Sequence, residues 1–149
     1  MISKILVPTD GSMAAQKAAR YAIDLAKQLK CSIIVLSVID NRSLMAQTIS
    51  AQENVRHITE PIEDYLREAA EAYAREIKEI CDENDVRSKI LVTSGHPAEE
   101  ITKEAESSNA DLIVIGSHGR SALKATFLGS VTYSIIHKET KVPVLVVKR

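Results

Sequence analysis

Residues 111–131 read DLIVIGSHGRSALKATFLGSV, and this stretch decides the fold. It opens with residues 111–115, of which 112–115 are all apolar, and this pattern is typical of a strand buried on both faces. Gly116 ends that strand, a long loop follows, and Ser130 is a candidate N-cap for the helix that comes next. A buried strand that leads through a loop into a helix is the repeating unit of a parallel sheet.

The same alternation runs through the rest of the chain. Apolar, β-branched runs predict strands, and apolar residues at steps of three and four predict the helices between them. Without an internal repeat or a linker, residues 1–149 are expected to form one α/β domain, a doubly wound, mainly parallel sheet with helices on both faces. The predicted strands are 4–7, 32–38, 86–93, 111–115 and 142–147, and the predicted helices begin after Ser12, near Thr59, at 95–97 and at Ser130.

The second predicted helix has the strongest period. Residues 41–57 before it are polar and weakly periodic, which indicates a loop or a short helix. Pro61 falls in the first predicted turn, where its missing N–H costs little. The predicted apolar face consists of Ile62, Leu66, Ala69, Tyr73, Ile77 and Ile80.

Composition narrows the classes of function. The 19 Lys and Arg residues balance 20 Asp and Glu residues, so the net charge of −1 gives no general attraction to nucleic acid or to an anionic membrane. Aromatic residues make up only 3% and Trp is absent, which disfavours a base-stacking platform. With no signal-like N-terminus and no bilayer-length apolar run, a cytoplasmic protein is expected. Cys31 and Cys81 lack metal-ligand spacing and are expected to be reduced thiols.

The loop after the fourth predicted strand has the spacing of a phosphate-binding segment. Gly116 is followed by two residues, Gly119, nine residues and then Gly129-Ser130. Gly119 lets the backbone approach a ligand closely, and the helix that starts near Ser130 offers N–H groups and a positive dipole end to a phosphate. Arg120 adds positive charge. The alternative is a plain connection, although thirteen residues is long for one.

Three further positions face the same end of the predicted sheet. Asp10, in the turn Pro8-Thr9-Asp10-Gly11-Ser12, could accept from ribose hydroxyls or hold Mg²⁺, or could be a turn residue that caps the first helix. The backbone of Val38 could read an adenine edge, or Val38 could be plain core. His118 could touch a phosphate or be a solvated loop residue.

Together these segments resemble the ATP-binding, single-domain type of the universal stress protein family. The similarity covers nearly the whole chain except 41–57, and the glycine spacing fits without a gap. The resemblance implies five parallel strands in the order 3-2-1-4-5. It also implies a nucleotide-dependent regulatory or signalling module in the stress response. The matching segments are Pro8–Ser12, Val38–Asp40, Ile115–Gly119, Gly129–Val131 and Val142–Val147.

The resemblance also implies the ligand contacts. The cofactor would be ATP, with Mg²⁺ near Asp10. Pro8, Thr9, Asp10, Val38 and Ile115 would surround adenine and ribose. The phosphates would be held by Gly116, Gly119, Arg120, Gly129, Ser130, Val131 and Thr132. The loop residues Ser117 and His118 complete the set of candidate cofactor-binding residues.

The last predicted strand, 142–147, indicates self-association. In the order 3-2-1-4-5 it is an apolar edge strand, and an open edge pairs readily with another chain. A two-fold axis would satisfy both edges, so a homodimer is expected, as the resemblance also implies. An edge shielded by the neighbouring helix is the alternative. A further protein partner is expected but not identified.

Two other functions stay open at this point. A slow ATPase or a phosphoryl or adenylyl transferase could use the same site, but no dedicated base stands beside the loop, so no catalytic residue is assigned. A pure interaction module with an empty crevice would not need the complete glycine spacing.

Overall fold

The structure is a computed structural model that describes residues 1–40, 56–119, 128–138 and 140–148, with the backbone alone for 56–60. The strands are β1 (Lys4–Pro8), β2 (Ser32–Ile39), β3 (Ser88–Ser94), β4 (Leu112–Gly116) and β5 (Val144–Val147). The helices are α1 (Met13–Leu29), α2 (Arg56–Glu83), α3 (Pro97–Ser107) and α4 (Ser130–His137).

The strands of the described chain form one parallel sheet in the order β3-β2-β1-β4-β5, which confirms the predicted order. Ile5 of β1 pairs with Ile33 of β2 on one side and with Leu112 of β4 on the other. The strand order reverses between β1 and β4. In open α/β sheets, ligands bind outside the carboxyl ends of the strands at such a reversal.

Helices cover both faces of the sheet, as predicted. Ile5 and Val7 lie in one core cluster together with Ile77 of α2. Leu6 lies between them in the sequence but in the opposite cluster, together with Ile135 of α4. Successive side chains of a strand point to opposite faces, so a strand covered on both faces must be apolar at every position. Each fully buried side chain of this kind contributes about 1.5–3 kcal/mol.

Helix α2 differs from its predicted form. It begins at Arg56, so Pro61 lies in the second turn rather than the first, where it removes a main-chain donor. The predicted apolar face is wrong in part, because Ile62 is 42% exposed. Small residues let the helix backbone approach its neighbours, and the buried seam consists of Ala70, Ala74, Ile77 and Cys81. Residues 41–55 of the uncertain predicted segment lie outside the described residues.

Two predicted helix caps have different outcomes. Ser12 caps α1 as predicted, since its Oγ accepts a hydrogen bond of 3.1 Å from the N–H of Ala15. Ser130 is the first helical residue of α4, and the N-cap is Gly129. Gly129 has the extended backbone of an N-cap, and its carbonyl accepts from the N–H of Tyr133 at 2.9 Å. The prediction for Ser130 was therefore wrong by one residue.

Both cysteines are buried free thiols. Burial raises the pKa of Cys31 and, more deeply in the core, that of Cys81. Among the described residues, no group of three His, Cys, Asp or Glu side chains is placed to hold a metal ion. In the same parts of the chain, every helix is too short or too polar to cross a bilayer.

Candidate functional site

A cavity of about 460 Å³ opens at the carboxyl ends of β1, β2 and β4. It therefore lies beside the reversal of strand order, where the topology predicts a ligand. The predicted site residues that line it are Pro8, Thr9, Asp10, Val38, Ile115, Gly116, His118, Gly119, Gly129, Ser130, Val131 and Thr132. Ser117 is not in the lining, and Arg120 lies outside the described residues.

The turn after β1 is held by its own side chains. The N–H of Gly11 donates to Thr9 Oγ1 at 3.2 Å, and the N–H of Ser12 donates to Asp10 Oδ1 at 2.9 Å. The N–H of Thr9 donates to the carbonyl of Leu36 in β2 at 2.8 Å. Asp10 is thus a turn residue that also lines the cavity, whereas the cap of α1 is Ser12.

The turn off β4 needs glycine because another backbone lies against it. A Cβ at Gly116 would lie 2.9 Å from the carbonyl oxygen of Ala14, in the first turn of α1. The carbonyl of Gly116 accepts from the buried Thr132 hydroxyl at 2.8 Å. Thr132 was predicted to contact a phosphate, but its hydroxyl already forms a hydrogen bond that joins α4 to β4.

The two ends of the glycine loop lie against each other. The N–H of Gly129 donates to the carbonyl of Ser117 at 2.7 Å. A Cβ at Gly129 would lie 3.2 Å from His118 Cα and 3.4 Å from the nitrogen of Gly119. A Cβ at Gly119 would lie 2.7 Å from Asp10 Oδ2. Glycine at these positions keeps a narrow backbone cradle open beside the Asp10 carboxylate.

The buried Ser117 side chain faces its neighbour rather than the cavity. Its Oγ and the Nδ1 of His118 lie 2.9 Å apart and share a hydrogen bond. His118 itself lines the cavity and is partly buried. This bond orients the imidazole, so His118 is held within the cradle rather than projecting into bulk solvent.

Helix α4 points its amino end at the cradle. Ser130, Val131 and Thr132 line the cavity and form the first turn of the helix. The first N–H groups of an α-helix have no acceptor inside the helix, and the helix dipole makes this end partly positive. Both features favour an anion, above all a phosphate.

The rest of the lining is largely apolar and includes residues absent from the predicted site. The rule on strand ends points to the segment after β3 as a whole but singles out no residue in it. Asp40 and Leu128 fall within the segments 38–40 and 116–130 that the sequence already indicated. Ala15, Leu36 and Ile101 lie inside helices or a strand, where no local pattern identifies them. The lining residues absent from the predicted set are Ala15, Leu36, Asp40, Pro97, Ile101 and Leu128.

This arrangement fits a nucleotide with its divalent cation. The volume lies within the range of roughly 300–1,000 Å³ that is usual for small-molecule sites. Glycine at these two positions lets the segments approach closely, because a Cβ at Gly119 would meet Asp10 Oδ2 and a Cβ at Gly129 would meet the backbone of His118. Asp10 supplies a carboxylate at its edge. One carboxylate is the usual protein share of a Mg²⁺ site in which phosphates and waters are the other ligands.

Comparison with known proteins finds relatives that belong to one family. The model of the universal stress protein family matches residues 1–148. The chain is 37% identical to universal stress protein MJ0577 of Methanocaldococcus jannaschii over 158 residues, which is 100% of this chain and 96% of that protein. It is 32% identical to universal stress protein YxiE of Bacillus subtilis, over 99% of this chain and 100% of that protein.

Solved structures agree on the fold. The structure of MJ0577 covers 100% of this chain and 97% of its own, with a TM-score of 0.86 and 36% identity. UspA from Lactobacillus plantarum has a TM-score of 0.86 at 23% identity, covering 98% of this chain and 97% of its own. A universal stress protein in complex with cAMP has a TM-score of 0.67 at 20% identity, covering 98% and 96%. At these lower identities the likeness shows the fold alone.

Proposed function

Because the chain belongs to the universal stress protein family, we propose that it binds ATP and acts as a nucleotide-dependent regulatory module in the stress response. One observation carries the proposal: the backbone cradle of Gly119 and Gly129 lies next to the amino end of α4. It supports phosphate binding because N–H groups and the helix dipole converge where no side chain intrudes. We also propose that residues 1–149 form one domain that acts in the cytoplasm.

We expect each part of ATP to occupy a different part of the cavity. The phosphates lie in the cradle, where backbone N–H groups and the Ser130 hydroxyl donate to their oxygens. We expect the adenine ring to lie near Val38 of β2 and Ile101 of α3, both of which line the cavity. The main chain of Val38 reads the edge of the base. Asp10 accepts from the ribose hydroxyls or holds Mg²⁺ beside the phosphates.

Mass spectrometry of the natively purified protein tests the proposal most directly. We expect bound ATP or ADP, and calorimetry on nucleotide-stripped protein should give tighter binding of ATP than of GTP. Because one protein of this fold was solved with cAMP, cAMP belongs in the titration as a competitor. Absence of binding to any adenine nucleotide would contradict the proposal and favour a pure interaction module.

Replacing Asp10 should weaken ATP binding in a Mg²⁺-dependent way. Asp10→Asn keeps an oxygen for the N–H of Ser12 but removes the charge, so it separates the ligand role from the turn role. We expect a loss of about tenfold, the usual size of one charged hydrogen bond. Calorimetry with Mg²⁺ and with a chelator measures it.

Asp24→Asn, on the exposed face of α1, is the matched control for the Asp10 variant. If Asp10→Asn loses as much ATP affinity with the chelator as with Mg²⁺, Asp10 contacts the ribose alone. If Asp10→Asn binds as the wild type does, Asp10 serves only the turn.

ATP turnover should be far below the roughly 10 s⁻¹ that is typical of enzymes. The titratable groups in the described lining are Asp10, Asp40 and His118, and the Nδ1 of His118 is already engaged by Ser117. On His118, a proton from water could therefore go only to Nε2, and we propose that no efficient general base acts here. Phosphate release from metal-clean protein measures the rate. Rapid multiple turnover that His118→Ala abolishes would move the protein to the enzyme class.

We propose further that the protein is a homodimer through β5. The strand is at the edge of the sheet, and its side chains are only half-buried. Main-chain groups of Val144 and Val146 point away from β4, because Ile113 and Ser117 donate to the carbonyls of Pro143 and Val147. These outward groups suit an antiparallel pair with a second copy.

A further inference from the structure

The turn that carries Asp10 rests on an aromatic ring from α2. Gly11 has φ = +78°, which favours glycine over any other residue. A Cβ at Gly11 would lie 2.5 Å from both Cδ1 and Cε1 of Tyr73 and 2.8 Å from its Cγ. The ring therefore lies directly over the Cα of Gly11. This contact joins two segments that are about sixty residues apart in the sequence.

Tyr73 is held in place by the part of α2 that is anchored in the core. Ala70, Ala74 and Ile77 are 5%, 0% and 1% exposed and surround Tyr73 along the helix. Further toward its amino end the helix is exposed, with Tyr65 at 70%. One helix thus contacts the Asp10 turn at its middle and presents side chains to solvent two turns away.

Gly11 and Asp10 belong to one turn that hydrogen bonds hold together. The N–H of Gly11 binds Thr9 Oγ1, and the N–H of Ser12 binds Asp10 Oδ1. The other oxygen of Asp10 lies against Gly119, at the edge of the cradle. A shift of the ring over Gly11 therefore changes where the carboxylate stands relative to the phosphates.

We propose that Tyr73 is a positioning residue of the nucleotide site: its ring over Gly11 sets the place of Asp10 and couples ATP occupancy to α2. The inference rests on the proposed function, since it names how that site is regulated. Coupling between sites is reciprocal, so a contact that helps ATP to bind also lets ATP stabilise the contact. Helix α2 is then the element whose order changes with the nucleotide.

Three tyrosine variants test the positioning role by calorimetry. Tyr73→Ala removes the ring and should weaken Mg-ATP binding by roughly fivefold or more, the lower bound of typical coupling. Tyr73→Phe keeps the ring and should bind as the wild type does. Tyr65→Ala, on the exposed part of the same helix, is the matched control. An equal loss in Tyr73→Phe would assign the effect to the hydroxyl and overturn the inference.

A double-mutant cycle separates the Gly11 contact from a general loss of stability. Gly11→Ala should weaken ATP binding, because its methyl group meets the ring at a positive φ. In the Tyr73→Ala background the methyl group meets no ring, so Gly11→Ala should cost distinctly less. If the loss of binding free energy in the double variant equals the sum of the losses in the two single variants, the inference is overturned, even if both single variants bind ATP weakly.

Hydrogen exchange supplies the readout that a purely structural role would not change. ATP should slow amide exchange around residues 70–77 in the wild type and in Tyr73→Phe, but not in Tyr73→Ala. If the wild type binds ATP but exchange around residues 70–77 does not slow, the inference is overturned and the proposed function is not. Failure of the wild type to bind ATP would overturn the proposed function and the inference with it.

Discussion

Gly129→Val should reduce ATP binding by roughly a hundredfold or more, the equivalent of about two charged hydrogen bonds. A Cβ at this position already lies 3.2 Å from His118 Cα and 3.4 Å from the carbonyl oxygen of Ser117. The two γ-methyl groups of valine would push the ends of the loop apart. The loop N–H groups and the first turn of α4 would then no longer meet at one phosphate. Calorimetric titration with Mg-ATP measures the loss.

Graded substitutions make this test specific. Gly129→Ala adds only the Cβ and should lose less ATP affinity than the valine variant. Gly119→Val should also weaken ATP, because its Cβ would lie 2.7 Å from Asp10 Oδ2 and displace the carboxylate. Ala72→Val, on the exposed face of α2, adds the same two methyl groups outside the cavity lining and should bind normally. Unchanged affinity in a folded Gly129→Val protein would refute the phosphate cradle.

Val146→Pro should convert the proposed dimer into a monomer. The N–H of Val146 points to the open edge, since the alternate residues Pro143 and Val147 are the ones whose carbonyls accept from the neighbouring segment. Proline removes that outward donor and places its ring where a second strand would pair, yet it breaks no bond to β4. Sedimentation velocity at micromolar protein concentration measures the change.

The control for Val146→Pro must keep the main-chain N–H and the shape of the side chain. Val146→Thr retains the N–H and the β-branch, so it should remain a dimer. A lysine pair at Val144 and Val146 is a poorer probe, because both side chains pack against the core and their replacement would disturb the fold itself. A wild-type monomer, or a Val146→Pro protein that stays dimeric and folded, would show that β5 is not the interface.

The amino-acid sequence by itself determined the fold class and the place of the site. Runs such as 33–36 and 112–115 are apolar at every position, which is typical of a strand covered on both faces. Parallel strands need helical crossovers, and their carboxyl ends then collect Pro8–Ser12 and Gly116–Ser130 on one side of the sheet. These are local patterns joined by a topological rule, so they need no coordinates. The strand order itself came from the family resemblance.

Only the tertiary structure decided which side of α2 is buried. The periodicity favoured the larger apolar side chains, such as Ile62, but the buried seam runs through Ala70 and Ala74. Hydrophobicity along a helix says which residues are able to be buried. How closely the helix can approach its neighbours depends on side-chain size and on the surface opposite, which belongs to other parts of the chain.

The sequence likewise did not predict which helix residues line the cavity or which residue packs against the Asp10 turn. Ile101 lines the site from α3, and Tyr73 lies on Gly11 from α2. Each of these residues looks like an ordinary member of an apolar helix face, because a local pattern carries no information about distances to remote segments. The sequence determined that a glycine turn and a glycine loop would meet at one edge of the sheet. Tertiary packing decided which side chains close around them, since steric contact is settled only when all the layers are assembled.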